Sequence, residues 1–471
     1  MTLSVHVIGG GLAGCEAAWQ LARRGVPVIL SEMRPRRTTP AHKTGDLAEL
    51  VCSNSFRSDV LTNAAGLLKE EMRRFGSLIL SSADAARVPA GSALAVDREE
   101  FARQVRHGLQ RPGVEIRAEE VTDLPGQEQI TIVASGPLTS DPLAKAIAGF
   151  TGQDALYFYD AIAPVVEADT INTEIAFRGS RYDKGDDAEG DYLNCPFTEE
   201  EYSRFYDALM AAAPATLHEF ERDHFFEGCL PIEELARRGR DTLCFGPMKP
   251  VGLTDPRTGR RPHAVLQLRQ DNRAATHYNL VGFQNHLKYG EQERILRLVP
   301  GLEQAEFVRF GQIHRNSFIN SPRVLRPTYQ TRTRSTLFFA GQIPGVEGYL
   351  ESAAAGLMAG TSAASLALGK TPMPFPATTA HGALAHYITE ADPRHFVPTN
   401  VTFGIFPALA DAGRGRRGRR ERNRRHGERA LADLGGFASS LDMPDHAPLG
   451  AEAREEMPGA GSLPAGLEMK S

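Results

Sequence analysis

From Gly9 to Gly14 the chain reads G-G-G-L-A-G, which places Gly9, Gly11 and Gly14 at G-x-G-x-x-G spacing around Leu12 and Ala13. Glycine at the first two positions permits a tight turn and lets backbone amides approach a pyrophosphate; the third lets the following helix pack closely on a strand. Glu32 stands 18 residues past Gly14, where a carboxylate can accept hydrogen bonds from ribose hydroxyls. The unit predicts dinucleotide binding, against the plainer alternative of a glycine turn made for packing.

A second glycine-rich turn lies far along the chain. GQIPGVEGY runs into ESAAAGLMAGTSAASLAL, so Gly341, Gln342, Gly348 and Tyr349 fall between a short apolar strand and a helix of small residues. Small residues there allow a second backbone element to approach an extended cofactor, which favours FAD over NAD. The alternative is a helix packed tightly on the sheet. Tyr349 and Glu351 fit the border of such a site or, equally, a turn and a helix cap.

The five cysteines have no C-x-x-C spacing, so neither a disulfide framework nor a metal site is expected. Cys52 sits in VCSNSFRSD, a polar loop in which the guanidinium of Arg57 can lower a thiol pKa. Cys229 follows Gly228 in FEGCLPIEE, an accessible turn, although a small buried hydrophobe is the commoner fate of cysteine. Cys15, Cys195 and Cys244 read as structural. Nine arginines fall between Arg414 and Arg429, Arg414, Arg416, Arg417, Arg419 and Arg420 among them, opposed by Glu421 and Glu428 alone. Such a run suits phosphate contact, guanidinium forking onto phosphate oxygens, or else a solvated helix face.

The elements that must position these groups follow from the pattern. Leu3 to Ile8 reads as a buried strand, Cys15 to Arg24 as a helix closed by Gly25, and Val26 to Ser31 as the next strand. DREEFARQVRHGL from Asp97 is a helix with an acidic start, while Ile130 to Ala134 and Leu337 to Ala340 are further buried strands. The stretch between about Tyr157 and Arg309 mixes short alternating runs with polar turns and holds no second fingerprint. The fold class is therefore α/β: a discontinuous, Rossmann-like FAD-binding domain of the glutathione-reductase type, with an inserted α+β domain. We expect residues 1–155 and 310–440 to form the FAD-binding part, the latter with a basic C-terminal helix. Residues 156–309 form the insertion and 441–471 a disordered tail. A length of 471 residues accommodates two or three cores, and 41% hydrophobic with 24% charged residues is a globular composition. No apolar run reaches membrane-spanning length, and the N-terminus reads as a strand rather than an export leader, which predicts a cytoplasmic protein. The net charge of −5 excludes wholesale nucleic-acid coating but not a local basic patch.

Several blocks together resemble one family: GGGLAGCEAAWQLARRG, ELVCSNSFRSD, FEGCLPIEELARRG, GFQNHLKYGEQ, HRNSFINSP and GQIPGVEGYLESAAAGLMAG. The chain resembles, from about Leu3 to Leu434, the methylenetetrahydrofolate-tRNA uracil-5-methyltransferases, flavoenzymes that form ribothymidine in the tRNA T-loop. It departs at Asn285, where threonine is expected, and at Tyr289, where tryptophan is common. A related family that builds carboxymethylaminomethyl groups on wobble uridines carries a long additional helical domain, for which this chain has no room.

The resemblance implies a set of roles. Cys229 is the nucleophile that adds to C6 of the uracil, turning C5 into a carbon nucleophile. Cys52 acts on the flavin side, either protecting the methylene adduct or moving the C5 proton. Methylenetetrahydrofolate supplies the carbon, NAD(P)H reduces FAD, and His286 stacks on the pterin unless it is a hydrogen-bonded surface histidine. tRNA is the partner, through the arginine run and a pocket for an unstacked uridine. Two rivals remain: an FAD oxidase or monooxygenase of a small metabolite, and an RNA-binding protein that keeps flavin for structure.

Overall fold

The computed structural model describes residues 3–39, 41–152, 156–161, 163–183, 190–213, 230–311, 313–410 and 418–441, with 156–161 and 313–316 as backbone. Strand β1 (Val5–Ile8), helix α1 (Leu12–Ala22) and strand β2 (Val28–Glu32) form the expected strand, turn and helix. The first helix ends through bonds from Arg24 N to Leu21 O and Gly25 N to Ala22 O, and Gly25 then takes φ +70°, the left-handed region that glycine enters without strain.

Five parallel strands make the first sheet, with β1 at its centre between β2 and Ile130–Val133. Val114–Ala118 lies outside β2, and Leu337–Phe339 lies outside Ile130–Val133. Val5, Val7 and Ile132 point to the face covered by α1 and helix Tyr349–Ala367, while Ile8, Val133 and Phe339 point to the other and pack with Leu143 and Ile147. The returning strand Leu337–Phe339 comes from the far part of the chain, so the sheet is discontinuous in sequence.

Residues 165–309, which separate the two parts, build a second sheet of six antiparallel strands. Its central strand Ala264–Gln270 is buried along its whole length, beside Tyr192–Phe197 in the register Cys195 to Leu266. Helix Glu199–Met210, opened by a reciprocal Thr198–Glu201 capping box, adds Tyr202, Phe205 and Leu209 to the same core. The connecting strands Leu156–Ala161 and Ile313–Phe318 pair with each other as an antiparallel ribbon.

Helix Tyr349–Ala367 crosses directly over α1. A Cβ at Gly356 would overlap the Ala13 carbonyl oxygen, and one at Gly360 would stand 2.8 Å from Ala17 Cα. Each glycine costs about 1 kcal/mol of helix propensity relative to alanine. Here that cost is met by backbone-to-backbone approach, which makes Gly356 and Gly360 packing residues and not cofactor contacts.

Candidate active site

The glycine turn sits where β1 hands over to α1. Gly9 takes φ +107°, and a Cβ there would meet Ala134 O at 2.5 Å. A Cβ at Gly14 would overlap the Gly9 carbonyl oxygen, so this position fixes how closely helix and turn approach. Gly11 differs: it is the N-cap of α1 with φ −75°, makes no side-chain cap, and faces empty space, with no atom within 4 Å of a built Cβ. The first-turn amides of α1 therefore point at an open volume, the arrangement that receives a pyrophosphate.

That volume is an open cleft lined by Gly9, Gly11, Leu12 and Ala13. Glu32 lines one part, and Gly341, Gln342 and Tyr349, from the far segment of sequence, line another. Glu32 accepts from Gly10 N at 2.6 Å and from Arg34 Nε at 2.9 Å. Burial opposes its charge, yet the Arg34 guanidinium and the amides of Arg34 and Gly10 hold its carboxyl below the usual range. Ionised at neutral pH, it keeps acceptor capacity for ribose hydroxyls. An extended dinucleotide fits these residues. Gly348, by contrast, lies outside the lining; with φ +103° it turns the chain into the following helix.

Tyr349 joins this cleft to the Cys52 loop. Its buried hydroxyl accepts from Cys52 N at 2.6 Å and Ser53 N at 3.2 Å. Burial pushes the phenol well above its ordinary range, with the nearby Cys52 adding to the rise, so it stays protonated. From the other side Arg309 donates to Val51 O at 3.2 Å, and Arg269 donates to Asn54 Oδ1 at 3.0 Å and Ser53 Oγ at 2.9 Å. Burial, helped by the charge of Arg98, brings the Arg309 guanidinium down to about 10, still cationic at neutral pH. The cations beside the Cys52 loop are thus Arg269 and Arg309. Arg57 is instead ion-paired with Glu351, which is fully buried and also accepts from Val401 N at 2.8 Å.

His286 is buried rather than on the surface, at 7% exposure, and its backbone N–H donates to Glu233 Oε1 at 2.8 Å. Glu233, in the same block as Cys229, has its carboxyl pushed up to about 7 by burial. Its role is absent from the sequence reading, which weighed cysteine chemistry and passed over the adjacent acid. Cys229 itself lies outside the described residues, as do Arg414, Arg416 and Arg417. Arg419 and Arg420 are exposed in the first turn of helix Arg419–Ser440. Cys15 and Cys195 are fully buried, with thiols pushed far up by that burial, while Cys244 is partly buried. Among the described residues no cluster of side chains could hold a metal ion, and no helix is long and apolar enough to cross a membrane.

The family model described as "Glucose inhibited division protein A" matches residues 4–371. The chain is 60% identical to a methylenetetrahydrofolate-tRNA-(uracil-5-)-methyltransferase TrmFO of Desulforudis audaxviator, over 92% of this chain and 98% of that protein. It belongs to this methyltransferase family. A second member, from Heliobacterium modesticaldum, is 58% identical over 92% of this chain and 98% of its own length. Among solved structures, GidA of Aquifex aeolicus superposes with a TM-score of 0.69 at 16% identity, covering 94% of this chain and 74% of that one. That likeness establishes the Rossmann-type FAD-binding fold, which the glycine turn and parallel sheet express here.

Proposed function

We propose that the protein methylates C5 of the T-loop uridine of tRNA, taking the carbon from methylenetetrahydrofolate and the electrons from NAD(P)H, in the cytoplasm. The observation that carries the proposal is the bridge at Tyr349. One residue both lines the dinucleotide cleft and holds the backbone of Cys52, in a chain whose relatives are named for this methylation. An oxidase of a small metabolite has no use for that linkage.

Gly11, Leu12 and Ala13 would hold the pyrophosphate of FAD, Glu32 its ribose, and Gly341, Gln342 and Tyr349 its far end. When bound, it supplies the two-electron reduction that converts a methylene to a methyl. His286 presents its ring to the pterin, its backbone anchored by Glu233. The Cys229 thiolate adds to C6 of the uracil and C5 bonds to the folate methylene; loss of the C5 proton breaks the methylene–nitrogen bond and releases tetrahydrofolate, a hydride equivalent completes the methyl, and elimination at C6 restores the ring and frees the thiol. Cys52 stays close to the cleft because Tyr349 and Arg309 hold the backbone on either side of it. The arginines that open the C-terminal helix meet the phosphates of the RNA.

The test is a tRNA carrying 5-fluorouridine at the T-loop position. Fluorine cannot leave as a cation, so the wild-type holoenzyme, given methylenetetrahydrofolate, should form a denaturation-resistant complex. Cys229→Ala should form none while remaining yellow. Trapping by Cys229→Ala at the wild-type level would move the nucleophile to another group, Cys52 first. No trapping by wild type would remove the RNA methylation reading itself.

A further inference from the structure

A phenol hydroxyl offers one hydrogen and two lone pairs, and at Tyr349 all of them can be followed. Cys52 N donates to the oxygen at 2.6 Å and Ser53 N at 3.2 Å, so both acceptor positions are filled by neighbouring amides of one loop. The hydrogen must therefore point elsewhere. The acceptor it meets is the Cys52 side chain, to which the Tyr349 side chain is hydrogen-bonded. Two amides drawing on the oxygen polarise the O–H bond and make it a stronger donor toward that sulfur.

The charges around the loop act in the same direction. Arg309, which ends strand Phe307–Arg309, donates to Val51 O at 3.2 Å and to Cys52 O at 3.5 Å. Arg269, in strand Ala264–Gln270, donates to Ser53 Oγ and Asn54 Oδ1, and both guanidiniums interact electrostatically with Cys52. Arg98, the first residue of helix Arg98–Leu109, acts on Arg269, Arg309 and Tyr349 alike. The opposing carboxylate is Asp271, whose Oδ1 stands 3.2 Å from Arg98. Arg57, on the loop itself, is neutralised by Glu351. Among the described residues, three guanidiniums and one carboxylate thus surround the loop, a net positive setting that favours an anionic sulfur.

We propose that Tyr349 is a positioning residue for Cys52: its hydroxyl donates to Sγ and, with Arg269 and Arg309 alongside, keeps that sulfur as a thiolate at the edge of the dinucleotide cleft. The proposal rests on the methylation reading and fixes the state in which Cys52 enters it. A thiolate can receive the uracil C5 proton, whereas a thiol already holds one. The hydroxyl that fixes the loop backbone therefore also sets the proton state of the side chain.

The experiment follows alkylation of Cys52 by iodoacetamide in flavin-loaded protein across about pH 5 to 10, with the Cys52 peptide resolved by mass analysis. Partial exposure of Cys52 leaves it open to a small reagent. Wild type is compared with Tyr349→Phe and with protein carrying 3-fluorotyrosine at position 349, which keeps the acceptor oxygen and has a more acidic hydrogen. Tyr349→Phe should raise the midpoint of the rate profile by at least about one pH unit, and 3-fluorotyrosine should lower it below wild type. A wild-type midpoint in Tyr349→Phe overturns the proposal. So does a wild-type midpoint with 3-fluorotyrosine, which would leave the hydroxyl as an acceptor for the loop amides alone; this second protein decides the matter should Tyr349→Phe fail to fold. If both midpoints move as expected but wild type forms no ribothymidine, the methylation reading falls and the bond from Tyr349 to Cys52 stands.

Discussion

At the scale of single residues, two glycines three positions apart do opposite jobs, and substitution separates them. Gly14 has a carbonyl oxygen where a Cβ would be, whereas Gly11 has an allowed φ and open space. Gly14→Ala should lower stability by more than about 2 kcal/mol, from backbone overlap in a packed turn. Gly11→Ala should leave the apoprotein as stable as wild type but weaken FAD binding by at least about tenfold, because its methyl fills the volume meant for the pyrophosphate. Flavin titration of the two apoproteins checks this; wild-type affinity in Gly11→Ala would contradict the placement.

Glu233 gives a prediction in pH. Its carboxyl titrates near 7 in the folded protein, from an ordinary value of 4.5, because burial penalises the charge. The folded state then binds more protons than the unfolded state between those values, so stability falls as pH rises through this window. At about 1.4 kcal/mol for each pH unit, about 3 kcal/mol is lost by pH 8. Glu233→Gln keeps the acceptor oxygen for His286 N and removes the charge, so it should be more stable than wild type at pH 8 and nearly equal at pH 4.5. Denaturant melts at the two pH values measure the difference; an equal gap at both would show that Glu233 does not titrate in this range.

At the scale of elements, what was legible was local. The first strand, glycine turn, helix and second strand were readable because apolar periodicity and glycine spacing are properties of neighbouring residues. Asp97 likewise caps its helix as the acidic start suggested, accepting from Glu100 N at 3.0 Å. What faced what was not legible. Gly356 and Gly360 share a helix face, but sequence does not say whether that face meets a cofactor or another helix; it meets α1. Arg57 is five residues from Cys52 and was the natural cation for it, yet it turns to Glu351, while Arg269, more than 200 residues away, reaches the loop from the second sheet. The arginine run invited phosphate contact throughout, but Arg424 pairs within the helix, and Arg425 and Arg429 donate to Ala410 O and Pro407 O of the preceding segment. Composition counts charges; only packing shows which have partners.

At the scale of the whole molecule, the two sheets are joined at the Cys52 loop. The parallel sheet supplies the cleft through Gly11 and Gly341, and the antiparallel sheet supplies Arg269 and Arg309, which hold the loop at the cleft's edge. Under the proposed function this layout would bring an RNA base, a one-carbon donor and a reductant to one place, and the central claim is that the donor's carbon becomes the uridine methyl. The most direct measurement uses methylenetetrahydrofolate carrying deuterium at both methylene positions, with unmodified tRNA, the holoenzyme and NADPH, followed by mass analysis of the released nucleosides. Ribothymidine whose methyl retains both deuterium atoms is the predicted result, since only the third hydrogen comes from reduction. Ribothymidine without deuterium, or none formed by flavin-loaded protein, would contradict the account.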